Sequence, residues 1–209
     1  MMSTRIGVVV VAVVLLVACG GEQPPAVQDS ASTEAADVAG AGWTRVSAEA
    51  LDAGQQALEE RILAARQAMA ERLMGELQEA LDTTGAPGAI EVCSIRAPEI
   101  AAAVSNEYGL LVGRTSFRLR NVANRPPDWA EAAVAERVAD PQYFVGPDGQ
   151  LAALMPITMQ EQCTMCHGSA DAIPEDVEAT LADIYPDDQA VGFAPGDLRG
   201  WFWIETPTS

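Results

Sequence analysis

The sequence predicts an α+β domain in which an antiparallel sheet carries helices on one side. A single helical period of large apolar residues runs through residues 47–84. Two short apolar runs, 143–145 and 151–157, flank a Gly-Pro-Asp-Gly sequence that is typical of a tight turn, so they predict a β-hairpin. The remaining helical and extended segments alternate through short links, and together with the hairpin they favour an antiparallel sheet with segregated helices.

The N-terminal segment, residues 1–19, has the features of a lipoprotein export signal. Arg5 precedes an apolar run from Ile6 to Ala18, which is too short for a transmembrane helix and suits the apolar part of a signal peptide. Cys19 follows Leu-Val-Ala and precedes two glycines, which resembles the lipobox of bacterial lipoproteins. A plain signal peptide and an uncleaved anchor are the alternatives. We predict a lipid anchor at Cys19 and a location on the periplasmic side of a bacterial cell envelope.

Residues 20–46 are predicted to form a flexible linker. They are rich in Gly, Ala, Pro, Ser, Gln and acids and contain few large apolar side chains. Such a composition buries too little apolar surface to fold. A random coil of this length has an r.m.s. reach of about 25–30 Å, so it would hold the following domain, residues 47–209, clear of a membrane.

The domain is predicted to begin with a long helix over residues 47–84. Ser47 is placed to cap its N-terminus, and Glu49 lies favourably in the first turn. A Thr-Thr-Gly-Ala-Pro-Gly sequence from residue 83 ends it. Its apolar stripe predicts packing on its own domain, and a dimerisation or signalling helix is the alternative. The stripe consists of Leu51, Leu58, Ile62, Met69, Leu73, Leu77 and Leu81.

The later elements follow from local periodicity and turn residues. They are, in order, two short helices over 89–108 around Pro98, a strand over 110–121, a helix over 128–139, the β-hairpin, a helix over 174–185 and a strand over 200–204.

The charge of the chain limits its partners. Thirty acidic residues face twelve basic ones, all of them arginine, and the formal net charge is −18. Nucleic acid is therefore excluded as a partner, because phosphate binding requires a basic face. Anionic lipid headgroups would also repel the domain, so a lipid tether rather than a basic patch is needed at a membrane. The acidic surface is compatible with a basic protein partner.

Cys163, Cys166 and His167 form a C-x-x-C-H motif. This is the sequence form of covalent c-type haem attachment, in which two thiols bond to the haem and the histidine binds its iron. A zinc site needs about four ligands, and His167 is the only histidine in the chain. A thioredoxin-like motif would continue into a helix, whereas residues 168–174 have the composition of a loop. The motif predicts one covalently attached haem c.

Cys93 is the cysteine that remains once lipid and haem are assigned. With Cys19 lipidated and Cys163 and Cys166 bonded to haem, no pair is left for a disulfide. The chain has no second histidine and no lysine, so Cys93 is a soft candidate for the iron's other axial position. The residues alone leave open whether it is a ligand or a buried thiol. Met155 and Met159 are further candidates.

Arg114, Arg118 and Arg120 share one parity on the strand predicted over 110–121 and would point to one face. Guanidinium groups bind carboxylates in bidentate fashion, so this cluster predicts a contact with the haem propionates. The alternatives are a solvated strand face and salt bridges to the acidic body. Four aromatic residues could wall the pocket or simply fill the core: Tyr185, Phe193, Trp201 and Trp203.

Five motifs, taken together, resemble a known family, the single-haem c-type cytochrome domain with a PAS-like fold. That domain is catalogued as a domain of unknown function and occurs free-standing and as the sensor region of bacterial signalling proteins. The motifs span about residues 48–205; one departure is residues 122–124, where the family usually has Pro after the first Asn. They are C-S-I-R-A-P at 93–98, V-G-R-T-S at 112–116, R-L-R-N at 118–121, C-T-M-C-H-G at 163–168 and Y-P-D-D-Q-A-V-G-F at 185–193, which continues into G-D-L-R-G at 196–200.

The resemblance implies a PAS-like fold with haem c, and iron bound by His167 and by Cys93 of the C-S-x-x-A-P motif. It leads us to expect a redox-responsive or gas-responsive sensor module, which would bind CO or NO when reduced and signal to a protein partner. A periplasmic electron carrier is the alternative. A peroxidase is disfavoured because its distal pocket needs an acid–base group and an open iron, so we expect no enzymatic activity.

Overall fold

A computed structural model describes residues 38–208 of the chain. The predicted signal segment 1–19, the lipidation site Cys19 and the first part of the predicted linker, up to residue 37, lie outside the described residues. Among the described residues, no helix is both long enough and apolar enough to span a membrane.

The structure confirms the predicted α+β fold with an antiparallel sheet. Six strands lie in the order β1-β2-β4-β5-β6-β3 within the described part, and every neighbouring pair is antiparallel. The predicted hairpin is β4 and β5, which pair from Gln142↔Leu154 to Val145↔Leu151. The strands are β1 (Val38–Ala39), β2 (Trp43–Val46), β3 (Leu111–Thr115), β4 (Gln142–Val145), β5 (Leu151–Thr158) and β6 (Leu198–Glu205).

Strand β2 corrects the predicted linker. Trp43 is buried and lies with its ring centroid 5.6 Å from that of Trp129, while β2 pairs with β4 through Thr44↔Val145. The prediction of a flexible chain is therefore wrong for residues 43–46. A large indole buries enough apolar surface to fix a short segment, and the polar composition of residues 20–46 as a whole concealed it.

Helix α1 (Ala53–Glu91) begins and ends later than the sequence predicted. Ser47 precedes only a 3₁₀ turn, Ala48–Ala50, and its side chain makes no capping bond. Asp52 caps α1 instead: its carboxylate accepts from the Gln55 amide, and the Gln55 side chain accepts from the Asp52 amide. At the other end, Gly85 has a φ of 73° and kinks the helix where an end was predicted, and helical turns resume as far as Glu91.

The segment after α1 stays helical but changes its winding. Val92–Arg96 forms a π-helix and runs directly into helix α2 (Ala97–Tyr108), which ends at Gly109 with a left-handed φ of 62°. Single π-turns inside α-helices are frequently found at functional sites. This one contains Cys93.

Strand β3 is shorter than predicted and ends at Thr115. The Ser116 hydroxyl donates to the Arg199 carbonyl at 2.7 Å and accepts from the Arg118 amide at 3.1 Å, which turns the chain away from the sheet. The predicted helix 128–139 is likewise reduced to a 3₁₀ turn, Asp128–Ala130, and helix α3 (Glu131–Glu136). Two further helices are α4 (Thr164–His167) and α5 (Glu175–Ile184).

The two faces of the sheet bury different cores because strand side chains alternate. Leu151, Ala153 and Met155 of β5 face α1 and α2, whereas Ala152 and Leu154 face the opposite side. The long helices lie on one face, as predicted, while α3 and the turn before it cover the other. The second core is rich in aromatic residues: Trp43, Trp129, Phe144 and Trp201.

Candidate functional site

The predicted iron and thioether residues converge on one region of the molecule. Cys93, Cys163 and His167 all line a cavity of about 380 Å³. Cys166 joins the same three side chains around an adjoining cavity of about 50 Å³. Cys93 reaches this region from the π-helix, and the other three lie on α4 and the turn before it. None of these three cysteines forms a disulfide with another described residue.

The ring of His167 is oriented for binding through Nε2. Its Nδ1 lies 2.7 Å from the carbonyl oxygen of Ala190. A carbonyl only accepts, so Nδ1 carries the proton and Nε2 keeps a lone pair. Burial, followed by the nearby charges of Arg199 and Arg120, holds the pKa of His167 well below its usual value. The imidazole is therefore neutral at pH 7, which is the form that binds a metal.

Backbone bonds hold the His167 segment against a loop of residues 190–193. The Phe193 amide donates to the His167 carbonyl at 3.0 Å, and the Gly192 amide donates to the Gly168 carbonyl at 2.7 Å. A Cβ on Gly168 would lie 2.5 Å from the Thr164 carbonyl oxygen, so this position requires glycine. The Phe193 ring stands edge-on to His167 at a centroid distance of 6.4 Å.

The thiols are close enough to influence one another. Burial raises the pKa of the Cys166 thiol; the Arg120 charge opposes this, and Cys93 and Cys163 add to it. Of the alternative sulfur ligands, Met74 and Met159 line the larger cavity, whereas Met155 is buried in the core between sheet and helices. Cys93, Met74 and Met159 are thus the sulfur candidates for the iron's other position.

The three arginines predicted to share one face of a strand do not do so. Because β3 ends at Thr115, Arg114 is the one of the three that lies on the strand. Arg114 and Arg120 both line the cavity, whereas Arg118 does not. Arg118 donates to the Val191 carbonyl at 2.9 Å and packs on the rings of Phe117 and Phe193. Arg120 is buried and bonded within the protein, to Asp188 and to two backbone carbonyls. The prediction of one common arginine face is wrong.

Two cavity arginines were missed from the sequence, Arg66 on α1 and Arg199 on β6. The position of Arg66 could have been inferred from helical spacing. It lies four residues after Ile62 and seven before Leu73, and therefore on the same face of the helix as the apolar stripe. Arg199 lies in one of the five motifs but was not singled out. Its guanidinium bonds to the Ser116 hydroxyl at 3.0 Å and stacks 5.3 Å from the Phe193 ring centroid.

The larger cavity is strongly basic in an acidic protein. Arg66, Arg114, Arg120 and Arg199 line it, and no carboxylate of the described residues does so. Arginines on the outer surface differ, because Arg72 and Arg96 pair with glutamates. Burial, then Arg120 and Arg114, lowers the pKa of Arg199 to about 10, so it stays charged at pH 7.

Three buried polar atoms at this cavity have no hydrogen-bond partner within residues 38–208. They are Arg66 Nε, Thr115 Oγ1 and Arg199 Nε. Buried donors without partners are rare in folded proteins and call for an explanation. A ligand with carboxylate groups would accept from the two guanidinium groups. The cavity therefore fits a group that combines a metal for His167 with anionic substituents.

Comparison with known proteins assigns the family. A family model described as Tll0287-like matches residues 45–207. The chain belongs to the Tll0287-like family. This confirms the family resemblance of the five motifs. No curated protein matches the sequence.

The fold of this Tll0287-like chain also has a match among solved structures. The crystal structure of the cyanobacterial heme-protein Tll0287 aligns with a TM-score of 0.59 and 18% identity. The alignment covers 76% of this chain and 98% of that one. At this identity the likeness establishes the shared PAS-like fold, and the site must be argued from its own residues.

Proposed function

We propose that this protein carries one haem c, attached through Cys163 and Cys166 and bound at the iron by His167 and Cys93. The observation that carries the proposal is the convergence of these four residues on adjoining cavities. The protonated Nδ1 of His167 supports it, because Nε2 is left free for iron. The crystallised family member is named a heme-protein, which agrees with this assignment.

The basic lining suits the two propionates of such a haem. Arg66, Arg114 and Arg199 have no carboxylate partner within salt-bridge distance among the described residues. Arg120 is already paired with Asp188 at 2.9 Å. We assign the propionates to the first three arginines, since planar guanidinium groups bind carboxylates most strongly. Haem bound here would supply one-electron redox chemistry and a site for a diatomic gas.

We further propose that the protein is a membrane-tethered sensor module on the periplasmic side of a bacterial cell envelope rather than an enzyme. A Cys93 thiolate bound to the iron would stabilise the ferric over the ferrous state, because its negative charge would offset the additional positive charge of ferric iron in a poorly solvated pocket. Reduction would weaken this preference and would make protonation of the sulfur easier. Cys93 lies on the π-helix between α1 and α2, so its release would affect both helices. CO or NO would then occupy the free position, and a protein partner would receive the signal.

An electron carrier is the second candidate function. The backbone bonds from Gly192 and Phe193 restrain the segment that holds His167. Restrained ligands favour fast electron transfer, which requires little rearrangement between oxidation states. A carrier would keep Cys93 bound in both states and would not bind CO when reduced.

The mode of attachment is tested by acid–acetone extraction. We expect the haem to remain with the wild-type protein and to be extracted completely from the Cys163→Ala/Cys166→Ala double variant. Either single variant keeps one thioether bond and should incorporate less haem than the wild type. Complete extraction from the wild type would contradict c-type attachment.

The axial ligand is tested with a pair of variants, Cys93→Ala and Met159→Leu. In the ferric wild type we expect a low-spin EPR signal of the His/thiolate type. It should disappear in Cys93→Ala, with a rise in the reduction potential, and persist in Met159→Leu. A low-spin signal that is not of the thiolate type, persists in Cys93→Ala and disappears in Met159→Leu would identify Met159 as the ligand. Addition of CO to the ferrous wild type then separates the two functions: binding supports the sensor, and failure to bind supports the carrier.

A further inference from the structure

Arg120 and His167 donate to the same carbonyl oxygen. The Ala190 carbonyl accepts from His167 Nδ1 at 2.7 Å and from Arg120 Nη2 at 3.2 Å. Ala190 is fully buried and Arg120 is 8% exposed, so water does not compete strongly for these groups. The shared oxygen makes the two side chains electrostatically dependent on each other.

A second set of bonds holds Arg120 in this position. Its Nε donates to Asp188 Oδ2 at 2.9 Å, and the other carboxylate oxygen of Asp188 accepts from the Ala190 amide at 2.7 Å. Arg120 also donates to the Cys166 carbonyl, next to His167 in the chain. The carboxylate, the guanidinium and the Ala190 peptide thus form a closed ring of hydrogen bonds behind the imidazole.

The strength of the bond from Nδ1 controls the basicity of Nε2. A histidine that donates from one ring nitrogen to a strong acceptor becomes a stronger electron donor at the other nitrogen. A guanidinium that donates to the same carbonyl withdraws charge from its oxygen and weakens it as an acceptor. Arg120 therefore limits the electron donation of His167 at Nε2.

We propose that Arg120 is a positioning residue that sets the reduction potential of the site by sharing the Ala190 carbonyl with His167. The proposal rests on the proposed function, since it assumes iron at His167 Nε2. Without the guanidinium, the Ala190 carbonyl would accept a stronger hydrogen bond from Nδ1. His167 would then donate more electron density to iron through Nε2, and this would favour the ferric state.

The test compares Arg120→Gln with Arg118→Gln in the haem-loaded protein. Arg118 is two residues away and bonds to the Val191 carbonyl instead, so its variant loses the same charge without touching Ala190. Both changes are made in the Cys93→Ala background, in which the loss of the thiol should leave ferrous iron open to CO. We expect Arg120→Gln to lower the potential and to shift the C–O stretch of the CO complex to lower frequency, because a stronger donor on the opposite side weakens the C–O bond.

The control should show at most a smaller fall in potential and an unchanged C–O stretch. Equal shifts in the two variants would overturn the proposal, because they would reflect only the lost charge, and so would an unchanged stretch in Arg120→Gln. If Arg120→Gln does not fold, Asp188→Asn serves in its place, since it loosens Arg120 and should shift the stretch in the same direction. Absence of covalent haem in every variant, including the background, would refute the proposed function instead.

Discussion

At the scale of single residues, the site is defined by what its arginines touch. Arg72, Arg96 and Arg45 pair with glutamates at the surface, where ion pairs contribute little to stability. Arg66 and Arg114 face the cavity without a carboxylate in the described part of the chain. A buried charge without a partner is costly, so an anion in the cavity would stabilise both side chains. The charges of Arg66 and Arg114 should therefore influence the reduction potential of the bound haem and the pKa of its propionates.

The Arg114→Gln variant should have a lower reduction potential than the wild type. Loss of a nearby positive charge favours ferric over ferrous iron, and the effect is largest in a poorly screened pocket. The pKa of a propionate that pairs with Arg114 should rise in the variant. The pH range over which the reduction potential changes should then move to higher pH. A pH series of potentials measures both effects. Arg61→Gln is the matched control, because Arg61 is exposed on the same molecule and does not line the cavity; equal changes in both variants would contradict the assignment.

At the scale of elements, the pairing of β3 with β6 shapes the wall of the cavity. Gly113 lies opposite Trp203 in the register, and a Cβ at Gly113 would come within 2.4 Å of the indole ring. Trp203 therefore occupies the space that a side chain at 113 would need. Arg114 and Thr115 are the next two residues of β3 and line the cavity. The close packing at Gly113 therefore fixes the position of these two residues in the cavity wall.

Two glycine-to-alanine changes should alter stability in opposite directions. Gly113→Ala should lower the free energy of unfolding by about 1–3 kcal/mol, because the indole must move in a packed region. Gly75→Ala should raise it by about 0.5–1 kcal/mol, because Gly75 is exposed within α1 and a Cβ there meets nothing within 4 Å. Chemical denaturation of both variants measures the difference. A stabilised Gly113→Ala would show that Trp203 does not pack as described.

At the scale of the whole molecule, the folded domain begins before residue 47. Strand β2 adds Thr44, Arg45 and Val46 to the edge of β4, and Trp43 fills part of the aromatic core. Removing this strand would leave β4 as a sheet edge and expose the rings of Trp129 and Phe144.

A chain that starts at residue 47 should therefore be less stable than one that starts at residue 38. Loss of a buried tryptophan typically costs about 3–5 kcal/mol. Thermal unfolding of the two chains, both loaded with haem, measures the effect. The single change Trp43→Ala in the longer chain is the control and should account for most of the difference. Equal unfolding temperatures would show that residues 43–46 do not stabilise the domain, in agreement with the predicted linker over residues 20–46.

The membrane anchor is also a property of the whole molecule. The Cys19→Ser variant should appear in the soluble fraction after cell lysis, because a lipid chain rather than the acidic domain would hold the protein at a membrane. The wild type should remain with membranes until detergent is added. A wild type that is soluble without detergent would contradict the lipobox prediction.

Local patterns in the sequence determined the type of fold and half of the site. Helical periodicity predicted α1, and alternation around a turn predicted β4 and β5, because both signals lie within a few neighbouring residues. The C-x-x-C-H motif predicted Cys163, Cys166 and His167 for the same reason: their chemistry depends on a spacing of a few positions. The family resemblance predicted Cys93, which the structure places at the same cavity.

Only the tertiary structure decided which arginines line the cavity and which of these are already bonded to other groups of the protein, as Arg120 is. Arg118 and Arg120 looked equivalent to Arg114 in the sequence, but β3 ends at Thr115 because Ser116 bonds to a carbonyl on β6, 83 residues away in the chain. Arg66 and Arg199 enter from a helix and a strand that no local pattern connects. The length of a strand and the residues that line a pocket depend on contacts between segments that are far apart in the chain. Local sequence patterns do not reveal such contacts, because the contacts form only when the chain folds.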